Sequence, residues 1–136
     1  MTTMQHPLFT MNFKGFAVGV NHKFVNRQFA ISQRYRNFKE AIAVCTNGSL
    51  GFAGDVELHI EMWISKPRDS DNLLKPLFDG MEMSGVFLND NQITYYTVRK
   101  HRKKRGEDDR IIVRGYPDEG ETADTSAGAA GRGGSV

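Results

Sequence analysis

Val56-Glu57-Leu58-His59-Ile60-Glu61-Met62-Trp63-Ile64 alternates without a break. Successive side chains of a strand point to opposite faces. Val56, Leu58, Ile60, Met62 and Ile64 therefore share one face, and Glu57, His59 and Glu61 the other. The pattern predicts a strand in an antiparallel sheet with one covered face, stopped by Pro67. Downstream, Leu73, Leu74, Leu77, Phe78 and Met81 recur at helical spacing and form a buried stripe. Asp71 or Asn72 can cap that helix, Pro76 sits near the limit of its first turn, where proline is tolerated, and Gly85 closes it. Gln92 to Val98 reads as the next strand, with Ile93, Tyr95 and Thr97 opposite Thr94, Tyr96 and Val98. Arg110 to Val113 reads as another short one.

Upstream, Tyr35, Phe38, Ala41, Ile42 and Cys45 recur at three and four residues. That spacing predicts a first helix, capped by Ser32 and ended by Asn47-Gly48. Phe13 to Val20 reads as a strand with Phe16, Val18 and Val20 in phase, weakened by Gly15 and Gly19. Asn21-His22 and Asn26 suggest a turn, and Phe29 to Ile31 a short returning strand.

The chain has 136 residues and an ordinary apolar share, which suits one domain. We expect a folded region over residues 1–116 and a disordered acidic, Gly-rich tail over 117–136, which lacks the apolar content to offset ordering. The net charge of +2 is unevenly distributed: residues 1–105 carry +6 and residues 106–136 carry −4. A basic body is the electrostatic footprint expected of a nucleic-acid binder. The single cysteine, Cys45, cannot form an internal disulfide, and no Cys or His spacing matches a zinc site. No apolar run approaches the roughly 18 residues of a membrane helix, and the N-terminus has no signal-peptide pattern. A cytoplasmic protein without membrane contact is the expectation.

Between the central strand and the second helix lies Arg68-Asp69-Ser70-Asp71-Asn72-Leu73-Leu74-Lys75-Pro76. Asp69 and Asp71 share a side if that segment is extended. Asp71, Lys75 and Asp79 are spaced by four along one helix face. Asp90 precedes the following strand, and if that strand pairs beside Val56–Ile64 it returns toward Asp69 and Asp71. Three convergent carboxylates suit Mg²⁺, with open positions for water and phosphate. Capping and turn chemistry accounts for the same residues taken singly. An EF-hand is excluded, because its glycine would fall at Leu74 and its closing glutamate at Gly80.

The full pattern is Arg68-Asp69-x-Asp71-Asn72-Leu73-Leu74-Lys75-Pro76, then Phe78-Asp79-Gly80-Met81, then Gly85-Val86-Phe87-x-Asn89-Asp90-x-Gln92-Ile93. It closely resembles the RusA family of Holliday junction resolvases. The resemblance implies a small mixed α+β fold, two main helices packed on a sheet, acting as a homodimer. It implies a crossover junction endodeoxyribonuclease that nicks two opposed strands of four-way DNA junctions in recombination and repair. Mg²⁺ is the implied cofactor, with Mn²⁺ able to substitute. Carried over, Asp69, Asp71 and Asp90 look like the metal-binding catalytic carboxylates, and Lys75 the essential lysine beside them. The family commonly has two aspartates where this chain has Asn89-Asp90.

Arg99-Lys100-His101-Arg102-Lys103-Lys104-Arg105 carries six fixed positive charges in seven residues. With Arg68, Arg99, Lys100, Arg102, Lys103, Lys104 and Arg105 are expected to contact DNA phosphates; a solvated hairpin tip is the bland alternative. The competing functions are a nuclease preferring flaps, forks or other branched DNA, a non-catalytic junction-binding module, and a protein-interaction domain with an acidic patch.

Overall fold

A computed structural model describes residues 6–19, 24–25, 30–31, 33–64 and 70–119. The chain forms β1 (Phe9–Gly15), β2 (Phe24–Val25), β3 (Ala30–Ile31), α1 (Gln33–Val44), β4 (Thr46–Gly48), β5 (Val56–Trp63), α2 (Asp71–Ser84), β6 (Ile93–His101) and β7 (Asp109–Pro117). Five strands form one sheet in the order β4-β1-β7-β5-β6, and β2 and β3 form a separate antiparallel pair. The architecture is α+β: a mixed sheet with two helices on one face.

β5 alternates as its sequence dictates, with Val56, Leu58, Ile60 and Met62 buried. The direction of pairing differs from expectation. β5 is antiparallel to β7 but parallel to β6, so β5, α2 and β6 form a crossover unit in which a helix returns the chain to the start of the next strand. Side-chain alternation is the same in both orientations and could not reveal this. A bulge between Val56 and Glu57 pairs Val56 with Ile93 and Glu57 with Tyr95. Ile93 therefore packs against the core, while Tyr95, Thr97, Arg99 and His101 share the open face with Glu57, His59, Glu61 and Trp63. The expected common face for Ile93 and Tyr95 is corrected by that one extra residue.

The first strand is also corrected. It runs over Phe9–Gly15, and its buried residues are Phe9, Met11 and Phe13. Phe16 is exposed, Val18 is buried in the loop after the strand, and Val20 lies outside the described residues. The helix after Gln33 ends at Val44, and Thr46–Gly48 pairs with β1 as β4 rather than forming only a turn. β3 occupies the last two positions of the expected returning strand; Ser32 falls outside the described residues. β7 is nine residues long and lies between β1 and β5, far more than the short strand expected.

Tyr35, Phe38 and Ile42 of α1 and Leu73, Leu77 and Met81 of α2 close over Met11, Ile60, Met62, Ile111 and Val113. Leu74 and Phe78 are half-buried at the margin, where Phe78 meets Tyr96 edge-on at 5.6 Å. α2 opens at Asp71, one or two positions earlier than a cap at Asp71 or Asn72 allows, and Ser70 before it makes no side-chain cap bond. Pro76 is thus the sixth helical residue and buried, beyond the first turn. Lacking an N–H, it leaves the Asn72 carbonyl without its helical donor. Gly85 closes the helix at φ 89° and donates its N–H to Glu82, the left-handed ending that favours glycine.

The helices cross closely at Gly80, where an added Cβ would lie 2.6 Å from Ile42 Cβ and 2.8 Å from the Lys39 carbonyl oxygen. Gly80→Ala is expected to lower unfolding free energy by about 1–3 kcal/mol through overpacking, read as a lower urea midpoint with unchanged slope. An unchanged midpoint would show that the helices can separate at no cost.

Candidate active site

Asp71 and Asp90 are placed by the two ends of α2. At one end, an added Cβ at Gly19 would meet Asn72 at 2.9 Å, and Gly19 follows the end of β1 that pairs with Asp109 and Arg110. Arg110 in turn pairs with Trp63. At the other end, the Phe87 ring lies 5.8 Å from that of Phe9, and Ile93 pairs with Val56. α2 therefore carries the chain from the Trp63 end of β5 to its Val56 end. Asp71 opens the helix at the first end, and Asp90 precedes β6 at the second. The strand after Asp90 does pair beside β5, but in parallel, so pairing alone does not return Asp90 to Asp71.

Between them stands Lys75, whose side chain is 56% exposed and whose Nζ lies 3.2 Å from Asp79 Oδ1. The hydrogen bond from Lys75 to Asp79, the Asp79 charge and then the charge of Asp90 hold the Lys75 pKa above the ordinary lysine value. Asp79 also faces Lys39 of α1, Oδ2 to Nζ 3.9 Å. Burial first, then the Asp79 carboxylate, raises the pKa of Tyr35. The structure thus brings Lys75, Asp79, Lys39 and Tyr35 together. Asp69 and Arg68 lie outside the described residues. Among the described residues, no three acidic, histidine or cysteine groups converge as a metal cluster. Chemically, exposed Asp71 and half-exposed Asp90 offer the hard oxygen donors that a divalent cation such as Mg²⁺ takes.

Asp90 begins a single 3-10 turn, Asp90–Gln92. Asn89 caps it by accepting from the Asn91 N–H at 2.7 Å. Gln92 Oε1 accepts from the Leu88 and Asn89 N–H groups at 2.7 and 2.9 Å, and its Nε2 donates to the Phe52 and Gly54 carbonyls, each at 2.7 Å. Gln92 therefore ties the Asp90 turn to the loop before β5, a role sequence reasoning missed. The spacing Asn89-x-x-Gln92 is a capping box and was readable as one. It also gives Asn89 a local task an aspartate could perform equally well. Gln92→Ala is expected to leave the fold intact but to lower any Asp90-dependent rate by about 10-fold through misplacement. Steady-state kinetics with circular dichroism as the folding control would test this.

The basic run divides. Arg99 and His101 lie on the open face of β6, and Lys100 on the side facing the helices, as their pairing with Glu61, Trp63 and Met62 requires. Arg102, Lys104 and Arg105 are exposed on the turn to β7. Lys103 is tied down: its Nζ lies 3.2 Å from Asp109 Oδ1, with side chains only 13% and 10% exposed, and it donates to the Glu107 carbonyl. Behind the run, His101 Nε2 meets Glu61 at 2.9 Å and Arg114 meets it at 3.2 Å. Those contacts, His101 first, hold the Glu61 carboxyl below its usual range.

Residues 17–114, which include Asp71, Lys75, Asp79 and Asp90, match the model of the family described as endodeoxyribonuclease RusA. The chain belongs to the RusA family. A crossover junction endodeoxyribonuclease RusA from Aquifex aeolicus (strain VF5) is 43% identical over 58 residues, 39% of this chain and 46% of that protein. The matched stretch thus spans about half the length of the RusA relative. Among the described residues, no helix is long and apolar enough to cross a membrane.

Proposed function

We propose that this RusA-family chain is a Mg²⁺-dependent, structure-selective endonuclease that resolves four-way DNA junctions by paired nicks. The observation that carries this is the family match, which takes in Asp71, Lys75 and Asp90. The crossover junction activity named for the Aquifex relative is carried over here as part of the proposal.

The family resemblance makes Asp69, Asp71 and Asp90 the candidate carboxylates for the cation, with Mn²⁺ as a substitute for Mg²⁺; Asp71 and Asp90 stand at opposite ends of α2, so each is a candidate ligand rather than part of a set already gathered. When bound, the ion supplies charge neutralisation at phosphate and a more acidic water. Protonated Lys75, held by Asp79, stabilises negative charge gathering on the scissile phosphate. Water adds to phosphorus, the P–O3′ bond breaks, and the 3′ oxygen takes a proton. The products carry 5′ phosphate and 3′ hydroxyl ends that can be ligated. No serine, cysteine or histidine nucleophile is required.

Arg68, Arg99, Lys100, Arg102, Lys104 and Arg105 would contact phosphates along the junction arms. Lys103, engaged by Asp109, would instead shape the turn that presents its neighbours. Paired nicks on opposed strands call for two sites related by a twofold axis, which a C₂ homodimer provides. Such a substrate puts the work in the cytoplasm of a bacterial or phage-infected cell, in recombination and repair.

The experiment is cleavage of an end-labelled synthetic four-way junction, in Mg²⁺ and in chelator, with linear duplex and flap DNA as competitors. Symmetric, ligatable nicks that vanish with chelator are expected. Preferential cutting of flaps or forks would redirect the activity to other branched DNA. Junction binding without metal-supported cutting would make the chain a binding module. Free Mg²⁺ is expected to bind weakly and to tighten with DNA, since Mg²⁺ sites commonly complete their shell with substrate phosphates.

A further inference from the structure

Resting on that reading, we infer that the open face of the sheet carries a second DNA contact: a cleft at Lys14, Trp63 and Arg110 that takes the phosphate backbone of a duplex arm. Lys14 of β1 pairs with Arg110 of β7, Arg110 with Trp63 of β5, and Trp63 with His101 of β6. These four residues form one cross-strand row on the face away from the helices. Adjacent strands lie about 4.8 Å apart, so the row spans about 14 Å. Beside it is a cleft of 810 Å³ bordered by Asn12, Lys14, Trp63, Arg110 and the turn residues Glu107 and Asp108.

Three observations favour a polyanion there. Lys14 and Arg110 are exposed, and among the described residues neither has an acidic group within ion-pair distance. Nearby Glu61 is engaged by His101 and Arg114, and Asp109 by Lys103, so these acids are compensated. Glu107 and Asp108 remain, but they share their turn with exposed Arg102, Lys104 and Arg105, and the surroundings stay basic. Trp63 is already ordered for contact: His101 stacks on it at 4.3 Å and 14°, and the Arg110 guanidinium carbon lies 5.4 Å from its ring centre. A guanidinium held against an aromatic face keeps its outer N–H groups free for phosphate. The row also sits at the end of β5 from which the chain leads to Asp71.

Trp63 is the only tryptophan, so selectively excited tryptophan emission reports this site alone. The full chain would be titrated in chelator with a four-way junction and with a linear duplex of one arm, at several salt concentrations, as wild type, Lys14→Gln, Arg110→Gln and Arg110→Lys. Binding is expected to change Trp63 emission. Each Gln variant should bind about 3–10-fold more weakly and reduce the slope of log affinity against log salt by about one, and Arg110→Lys should recover most of that slope. Wild-type junction cutting in Mg²⁺ with silent Trp63 and unaltered Gln variants would overturn this inference alone. Arg110→Lys as weak as Arg110→Gln, with an unchanged slope, would overturn it too, since packing rather than phosphate contact would be at work. Trp63-reported, salt-sensitive binding without cutting would support the cleft and overturn the nuclease reading. No binding to either DNA would overturn both.

Discussion

Asp90→Asn is expected to abolish strand cutting, with a loss of at least about 10³-fold, equivalent to roughly 4 kcal/mol of transition-state stabilisation. Junction affinity should stay within about 2-fold, because affinity for DNA rests mainly on the cations. The substitution preserves shape and removes a charge. It should also leave the turn intact, since the capping bonds run from Asn89 and Gln92 rather than from the Asp90 carboxylate. Asp71→Asn should behave alike, at the opposite end of α2. Single-turnover cleavage with saturating protein separates chemistry from binding. Wild-type rates in either variant would remove that carboxylate from the mechanism, and restoration of either by higher Mg²⁺ would mark a weakened rather than lost ligand.

Lys75→Ala should cost about 10²–10³-fold in cleavage rate, the usual loss when one preorganised donor to a developing anion is removed. Asp79 then has a testable positioning role. It accepts a hydrogen bond from Lys75 and, by geometry, steers the ammonium along the helix. Asp79→Asn should slow cleavage by about 10-fold, and Asp79→Glu should recover part of it. The pH profile distinguishes positioning from mere structural support. Asp79 raises the Lys75 pKa, so the ammonium persists to higher pH in the wild type. An alkaline limb due to Lys75 should move to lower pH in Asp79→Asn. The corresponding folding contribution is present below the ordinary lysine pKa and fades as pH rises through the folded value. It should be small, because the side chain is 56% exposed and surface pairs contribute little. An unmoved alkaline limb would detach Asp79 from Lys75.

Much of this was legible in the chain because the signals were local. Alternation over Val56–Trp63, the stripe from Leu73 to Met81 and the stop at Gly85 each depend on neighbours a few residues away. The errors lie where a distant partner decides. β4 is three residues long and exists as a strand through its pairing with β1. The bulge opposite Val56 flips the phase of β6, and parallel pairing leaves no trace in alternation. The expected strand Phe13–Val20 lies too far along the chain because apolar Val18, which a loop buries, looks in sequence like a strand position. At the site, the Lys75–Asp79 spacing was readable, but the approach of Lys39 required the helix crossing at Gly80. Lys103 and Asp109 are six residues apart across a turn, and only burial separates Lys103 from its exposed neighbours.

Among the described residues, β6 closes one edge of the sheet and pairs with β5 alone. A nine-residue edge strand can act as a template for other chains. Arg99 and Lys100 sit at the far end of that strand, where repulsion between like charges discourages two copies from zipping together. Their work would then be partly prophylactic. A variant stripped of these two charges to weaken DNA binding also loses a solubility guard, so its self-association should be checked by light scattering before a lower affinity is blamed on lost phosphate contacts.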